Sequence, residues 1–101
     1  MITCFLRYEI DPARVKEFEE YGRTWIRLVN RLGGTHHGYL LPSEGASDVA
    51  LASFSFPSLA AYEAYRKAAA GDEECRAAVA FADRTQCIRR WDRSFFRPVF
   101  E

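Results

Sequence analysis

Between Glu9 and Val15 the spacing of apolar residues changes from two to three and four, and this change of period constrains the fold more than any other feature. Ile2, Cys4, Leu6, Tyr8 and Ile10 alternate with Thr3, Phe5, Arg7 and Glu9, the pattern of a strand with one strongly apolar face. Asp11-Pro12 follows. The carboxylate is placed to cap a helix, and proline at the first helical position loses an N–H that would have had no partner. Val15, Phe18, Gly22, Trp25, Val29 and Leu32 then recur at helical spacing among Lys16, Glu17, Glu19, Glu20, Arg23, Arg27 and Arg31. This predicts a long amphipathic helix that Gly33-Gly34 ends. A glycine in the apolar stripe costs about 1 kcal/mol against alanine, so Gly22 points to a close approach between this helix and the sheet.

The rest of the chain repeats the alternation of strand and helix. Residues 35–41 predict a second strand, stopped by Pro42, and residues 42–48 have loop composition. Residues 49–56 predict a third strand, antiparallel to the second because the connection is short. Ser58 is the expected cap of the next helix, which carries Leu59, Tyr62 and Tyr65 or Arg66 at helical spacing and is interrupted at Gly71-Asp72. Asp72 then caps a further helix with Glu73 and Glu74 in its first turn, where the helix dipole favours acidic groups; Cys75, Val79 and Ala82 are its expected buried stripe. Residues 88–99, with Trp91, Phe95 and Phe96, predict the last strand. The order is an α+β, ferredoxin-like βαββαβ pattern: a four-stranded antiparallel sheet with its helices on one face. All 101 residues fit one domain, residues 1–101.

Helices on one face leave the other uncovered. Phe5 opposes the Ile2/Cys4/Leu6 row, Val49 and Leu51 oppose Ala50, Ala52, Phe54 and Phe56, and Trp91 and Phe95 oppose Ile88 and Phe96. A four-stranded sheet offers a footprint on the order of 300 Å², the size of the largest apolar patch on ordinary monomers. A second copy is the simplest cover, since a two-fold interface uses one patch twice, so a homodimer is expected. The alternative is a monomer whose outer face is diluted by Thr3, Arg7, Glu9, Ser53, Ser55 and Arg93.

Composition excludes several classes of partner. Fourteen basic residues balance fourteen acidic ones, and a protein that neutralises phosphates carries a basic excess; nucleic acid is not an expected partner. No apolar run approaches the roughly 20 residues of a membrane span. Met1-Ile2-Thr3-Cys4 lacks the basic and long apolar regions of a secretory signal. Cys4, Cys75 and Cys87 are odd in number and scattered, with no CxxC spacing, which argues against a disulfide framework or a zinc site. They read as buried thiols of a protein in a reducing cytoplasm.

Several segments together resemble one family. The opening residues 1–12, Gly33-Gly34-Thr35-His36-His37-Gly38-Tyr39, the junction of residues 54–62 and Arg93-Ser94-Phe95-Phe96-Arg97-Pro98 are similar to bacterial NIPSNAP-family proteins over nearly the whole chain. The resemblance implies a dimeric α/β barrel, in a superfamily that also holds small cofactor-free monooxygenases and some haem-degrading enzymes. At most it implies a monooxygenase-like activity without a cofactor, and it brings no catalytic motif to transfer.

The residues themselves offer three groups. His36 and His37 are the only histidines. As neighbours on a strand they point to opposite faces and cannot share a metal. The one facing the helices is a candidate general base or haem ligand, and the plain alternative is a polar residue at a strand start. Tyr8, Trp25, Tyr39, Tyr62 and Trp91, with Tyr65, come from different elements and suit a small planar organic ligand between helices and sheet, unless they are simply core. Arg89, Arg93 and Arg97 fall on one side of the last strand and Arg90 on the other, with Arg7 on the first strand; they can hold a small anion, or serve as a solvated edge or pair between subunits with Glu9 and Asp92. No phosphate loop, GxSxG or HExxH motif occurs, and neither a metal nor a cofactor is expected. Two readings follow: a cleft that binds or transforms an aromatic molecule, or a non-catalytic dimeric interaction module.

Overall fold

The computed structural model describes residues 1–100; Glu101, the last residue of the expected domain, lies outside them. Its elements follow the expected order: β1 (Ile2–Ile10), a 3-10 turn (Pro12–Arg14), α1 (Val15–Arg31), β2 (Thr35–Leu40), β3 (Val49–Phe56), α2 (Leu59–Gly71), α3 (Glu73–Thr85) and β4 (Ile88–Phe96). The strands form one sheet in the order β2-β3-β1-β4, antiparallel throughout, which is the ferredoxin-like arrangement. Among the described residues, no helix is long and apolar enough to cross a membrane.

The expected caps close the helices. Asp11 Oδ1 accepts from the Ala13 N–H, Ser58 Oγ from Ala61, and Asp72 Oδ2 from Cys75. At the end of α1, the Gly34 N–H donates to the Val29 carbonyl at 2.9 Å while Gly33 takes φ +102°, a Schellman ending in which the left-handed residue is glycine. Gly22 meets the Tyr39 ring: a Cβ there would sit 3.1 Å from it. The close approach is therefore real, but its partner is a side chain of β2.

Cys4, Leu6, Tyr8 and Ile10 of β1 and Ala50, Ala52, Phe54 and Phe56 of β3 point to the helix side and are buried against Phe18 and Val29 of α1 and Tyr62 and Tyr65 of α2. All three cysteines are free and buried, and burial pushes the Cys4 and Cys75 thiols up to about 11.

Three expectations are corrected. In β4, Ile88 shares a face with Trp91 rather than opposing it, because Arg89 is an extra residue: Ile10 pairs with Ile88 while Glu9 pairs with Arg90, and a bulge resets the alternation. Arg93 pairs with the inward Leu6 and so lies on the helix side, not on the outer face. In α3, Cys75 and Ala78 are the buried residues and Val79 is 59% exposed. The cause is that α3 leans on α1, where Leu28, Cys75 and Ala78 form a second small core. Arg27–Glu74 at 2.8 Å and Arg31–Asp72 at 2.9 Å line its edge. A helix resting on another helix cannot also cover the far strand. The helix-side residues of β4 therefore stay open, with Trp91 57% exposed.

Candidate functional site

The opening left by α3 is a cleft of about 800 Å³ between the three helices and the sheet. It gathers Tyr8, Trp25, His36, Tyr39, Tyr62 and Trp91, six of the seven residues that the sequence nominates, together with Tyr65. His37 is left out. It extends from the opposite face, where its Nε2 lies 2.7 Å from Ser55 Oγ, itself 2.7 Å from Thr3 Oγ1.

A one-residue bulge separates the two histidines. His36 pairs with Phe54 and Gly38 with Ser53, so His37 is the inserted residue, and Gly38 takes φ +111°, a conformation that glycine adopts without strain. The turn brings the Gly38 N–H to His36 Nδ1 at 2.9 Å. That bond occupies the one lone pair of a neutral imidazole and places the ring hydrogen on Nε2. In this tautomer His36 has no lone pair left to accept a proton or to ligate haem iron; it is a hydrogen-bond donor. Its ring lies 5.1 Å from Tyr39 at 12°, and Tyr39 continues the stack to Tyr8 at 6.1 Å.

Burial, with the neighbouring His37 second, pushes His36 down to about 4, so the ring is neutral at physiological pH. An ordinary histidine titrates at 6.5. Between those two values the unfolded chain binds the extra proton and the folded chain does not, so stability falls as pH drops from about 7 to about 4 and this group adds no further loss below that. Allowing for the partial solvent exposure of the ring, the loss is expected to be about 1–2 kcal/mol. Urea midpoints at pH 7.5 and 4.5 check it: His36→Gln should flatten the pH dependence by that amount, and equal slopes in the two proteins would remove the assignment.

Four tyrosines are equally uncharged. Burial raises Tyr8, Tyr39 and Tyr65 well above the ordinary phenol range and Tyr21 to about 12, so their hydroxyls keep their protons at neutral pH. The Trp25 indole N–H is close enough to the Tyr21 hydroxyl to favour its ionised form slightly, yet among the described residues it has no hydrogen-bond partner, and a buried donor left unpaired is costly. Tyr62 packs edge-on against Phe95 at 4.8 Å and accepts from Arg66 Nη1 at 3.1 Å. The wall is thus aromatic, with neutral donors set into it. Among the described residues, no three His, Cys, Asp or Glu side chains gather closely enough to hold a metal ion.

Tyr21, Arg66, Arg76 and Arg93 also line the cleft. Tyr21 falls between Phe18 and Trp25 at spacings of three and four, so the helical pattern carried its signal. Arg76 had none, because its place depends on how α3 leans.

The family model described as NIPSNAP matches residues 4–100. Among solved structures, a NIPSNAP family protein from Agrobacterium tumefaciens superposes with a TM-score of 0.81 at 18% identity, covering 97% of this chain and 92% of that one. An uncharacterized NIPSNAP domain protein from Burkholderia xenovorans gives 0.78 at 17%, covering 98% and 95%. A putative antibiotic biosynthesis monooxygenase from Nitrosomonas europaea gives 0.74 at 8%, covering 99% and 100%. At these identities the likeness is one of fold. No curated protein sequence matches the chain.

Proposed function

The chain belongs to the NIPSNAP family, and from that premise we propose that it binds a small planar aromatic molecule in the helix-side cleft and works as a homodimer through the opposite face of its sheet. One observation carries the ligand reading: residues scattered over the sequence from Tyr8 to Trp91 line a single open cleft of about 800 Å³, within the size range of small-molecule sites. The ring slides between Tyr62 and Trp91, and the acceptor atoms of the ligand meet neutral donors, His36 Nε2–H and the tyrosine hydroxyls. His36 then polarises a carbonyl or phenol oxygen instead of removing a proton. The fold likeness to a monooxygenase brings one reaction to this cleft, oxygenation of a bound hydroquinone by dioxygen without a resident cofactor: one oxygen atom enters the ring, and the hydroquinone, oxidised to the quinone, supplies the electrons and protons that take the other to water.

The chain has two tryptophans and both line the cleft, so their indole N–H resonances report its occupancy. Titration with 1-naphthamide is expected to shift both signals saturably, with a dissociation constant of about 0.1–1 mM for a ligand of this size. Absence of any shift in either signal sinks the binding reading. A second arm follows oxygen uptake with reduced naphthoquinones; binding without uptake leaves the protein a binder and removes the oxygenase step.

A further inference from the structure

We propose that the ligand of this cleft is an anion, an aromatic ring system bearing a carboxylate or a comparable acidic group. The inference rests on the aromatic-cleft reading above and adds the charge of the molecule. Its ground is the distribution of arginines. Arg14, Arg23, Arg27, Arg31, Arg89 and Arg90 each lie within ion-pair distance of a carboxylate. Six arginines make no ion pair among the described residues: Arg7, Arg84 and Arg97 lie away from the cleft, whereas Arg66, Arg76 and Arg93 line it, where Asp83 is the single carboxylate. A chain with no net charge thus sets three guanidiniums without a carboxylate partner along this aromatic cleft, against one carboxylate.

Their placement is structural. Arg93 is turned inward by the register of β4 against β1, close enough to the buried Cys4 thiol to lower its titration against the effect of burial. Arg66 is held by its bond to the Tyr62 hydroxyl and lies 5.9 Å from that ring's centre, so the cation and the ring face are offered together. A guanidinium binds a carboxylate through paired N–H donors, and a cleft with low-dielectric walls strengthens the attraction over that at an open surface. The donors deeper in the wall are neutral, so nothing there but Asp83 opposes a negative group.

The test compares 1-naphthoate with 1-naphthamide, which share ring and size and differ in charge, by the same two indole signals. The carboxylate is expected to bind about tenfold tighter at low ionic strength, and the margin should shrink in about 0.5 M salt. In the Arg76→Gln/Arg93→Gln double variant, whose substituted side chains are exposed and whose fold is checked by circular dichroism, the preference for naphthoate over naphthamide should disappear. Equal binding of the two compounds by the unmodified protein, or a preference that survives the double substitution, overturns the inference and leaves the aromatic-cleft reading standing. If neither compound binds, both fall together.

Discussion

Replacing Phe18 by alanine is expected to cost about 3–5 kcal/mol, the range for deleting a large buried side chain whose cavity cannot collapse. Phe18 is fully buried at the centre of the contact between α1 and the sheet. Its ring meets Tyr8 edge-on at 5.0 Å and Tyr39 at 5.7 Å, and stacks with Tyr21 at 6.0 Å. Because domains of this size hold only about 5–15 kcal/mol in all, the variant should melt at least about 12 °C lower, while Phe18→Leu, which keeps most of the volume, should lose far less. A thermal or urea denaturation series decides it; a loss below about 1 kcal/mol would mean that the wall behind Phe18 carries itself. The three rings that rest on Phe18 also line the cleft. The alanine variant should therefore weaken 1-naphthamide binding at temperatures where it is still folded, linking the core to the site.

Much of the fold could be read from the residues because local and global preferences agree. The period-two pattern of β1 alone separates buried Cys4, Leu6, Tyr8 and Ile10 from exposed Phe5 and Arg7. Asp11, Ser58 and Asp72 cap helices through bonds that their own side chains make within three residues. Choosing between His36 and His37 was beyond such reasoning. Simple alternation shows that they diverge, but the face each takes depends on a bulge, and Gly38 marks that bulge only once the partner strand is known. Arg89 has the same effect in β4, where an inserted residue restores Ile88 to the inner face.

The cleft itself was legible only as a supply of aromatics. Its existence follows from α3 packing on α1, and that depends on Leu28, Cys75 and Ala78 meeting across more than forty residues of chain, with Arg31 reaching Asp72 and Glu74 at the rim. Had α3 covered β4, Val79 would be buried as the periodicity suggests, and Trp91 and Arg93 would lie beneath it. A small departure in helix packing thus turns what reads as core into a site, and no local pattern encodes that choice.

Phe5→Glu is expected to raise the dimer dissociation constant by about 10³-fold or more. The outer face of the sheet carries Phe5, 47% exposed, against Phe96, 53% exposed, their rings edge-on at 5.7 Å. Leu51 and Leu40 pair further along the same face, with Arg7, Ser53, Asp92 and Ser94 between and around them. Two-fold symmetry presents each substitution twice. Every copy loses the burial of an aromatic ring, about 1–2 kcal/mol for the part still exposed, and must desolvate a carboxylate, at roughly 2 kcal/mol or more if unpaired. The sum over two copies exceeds the roughly 4 kcal/mol that corresponds to 10³ in affinity. Because the position is open in the single chain, the monomer itself should keep its circular dichroism and melting behaviour. Sedimentation from about 1 to 100 µM separates the outcomes. An unmodified protein that is monomeric throughout ends the homodimer proposal, and a Phe5→Glu variant with unchanged self-association would move the interface off this face. The ligand cleft lies on the other side of the sheet, so 1-naphthamide should bind the split variant with little change. That result would separate assembly from recognition in a sheet that offers one face to each.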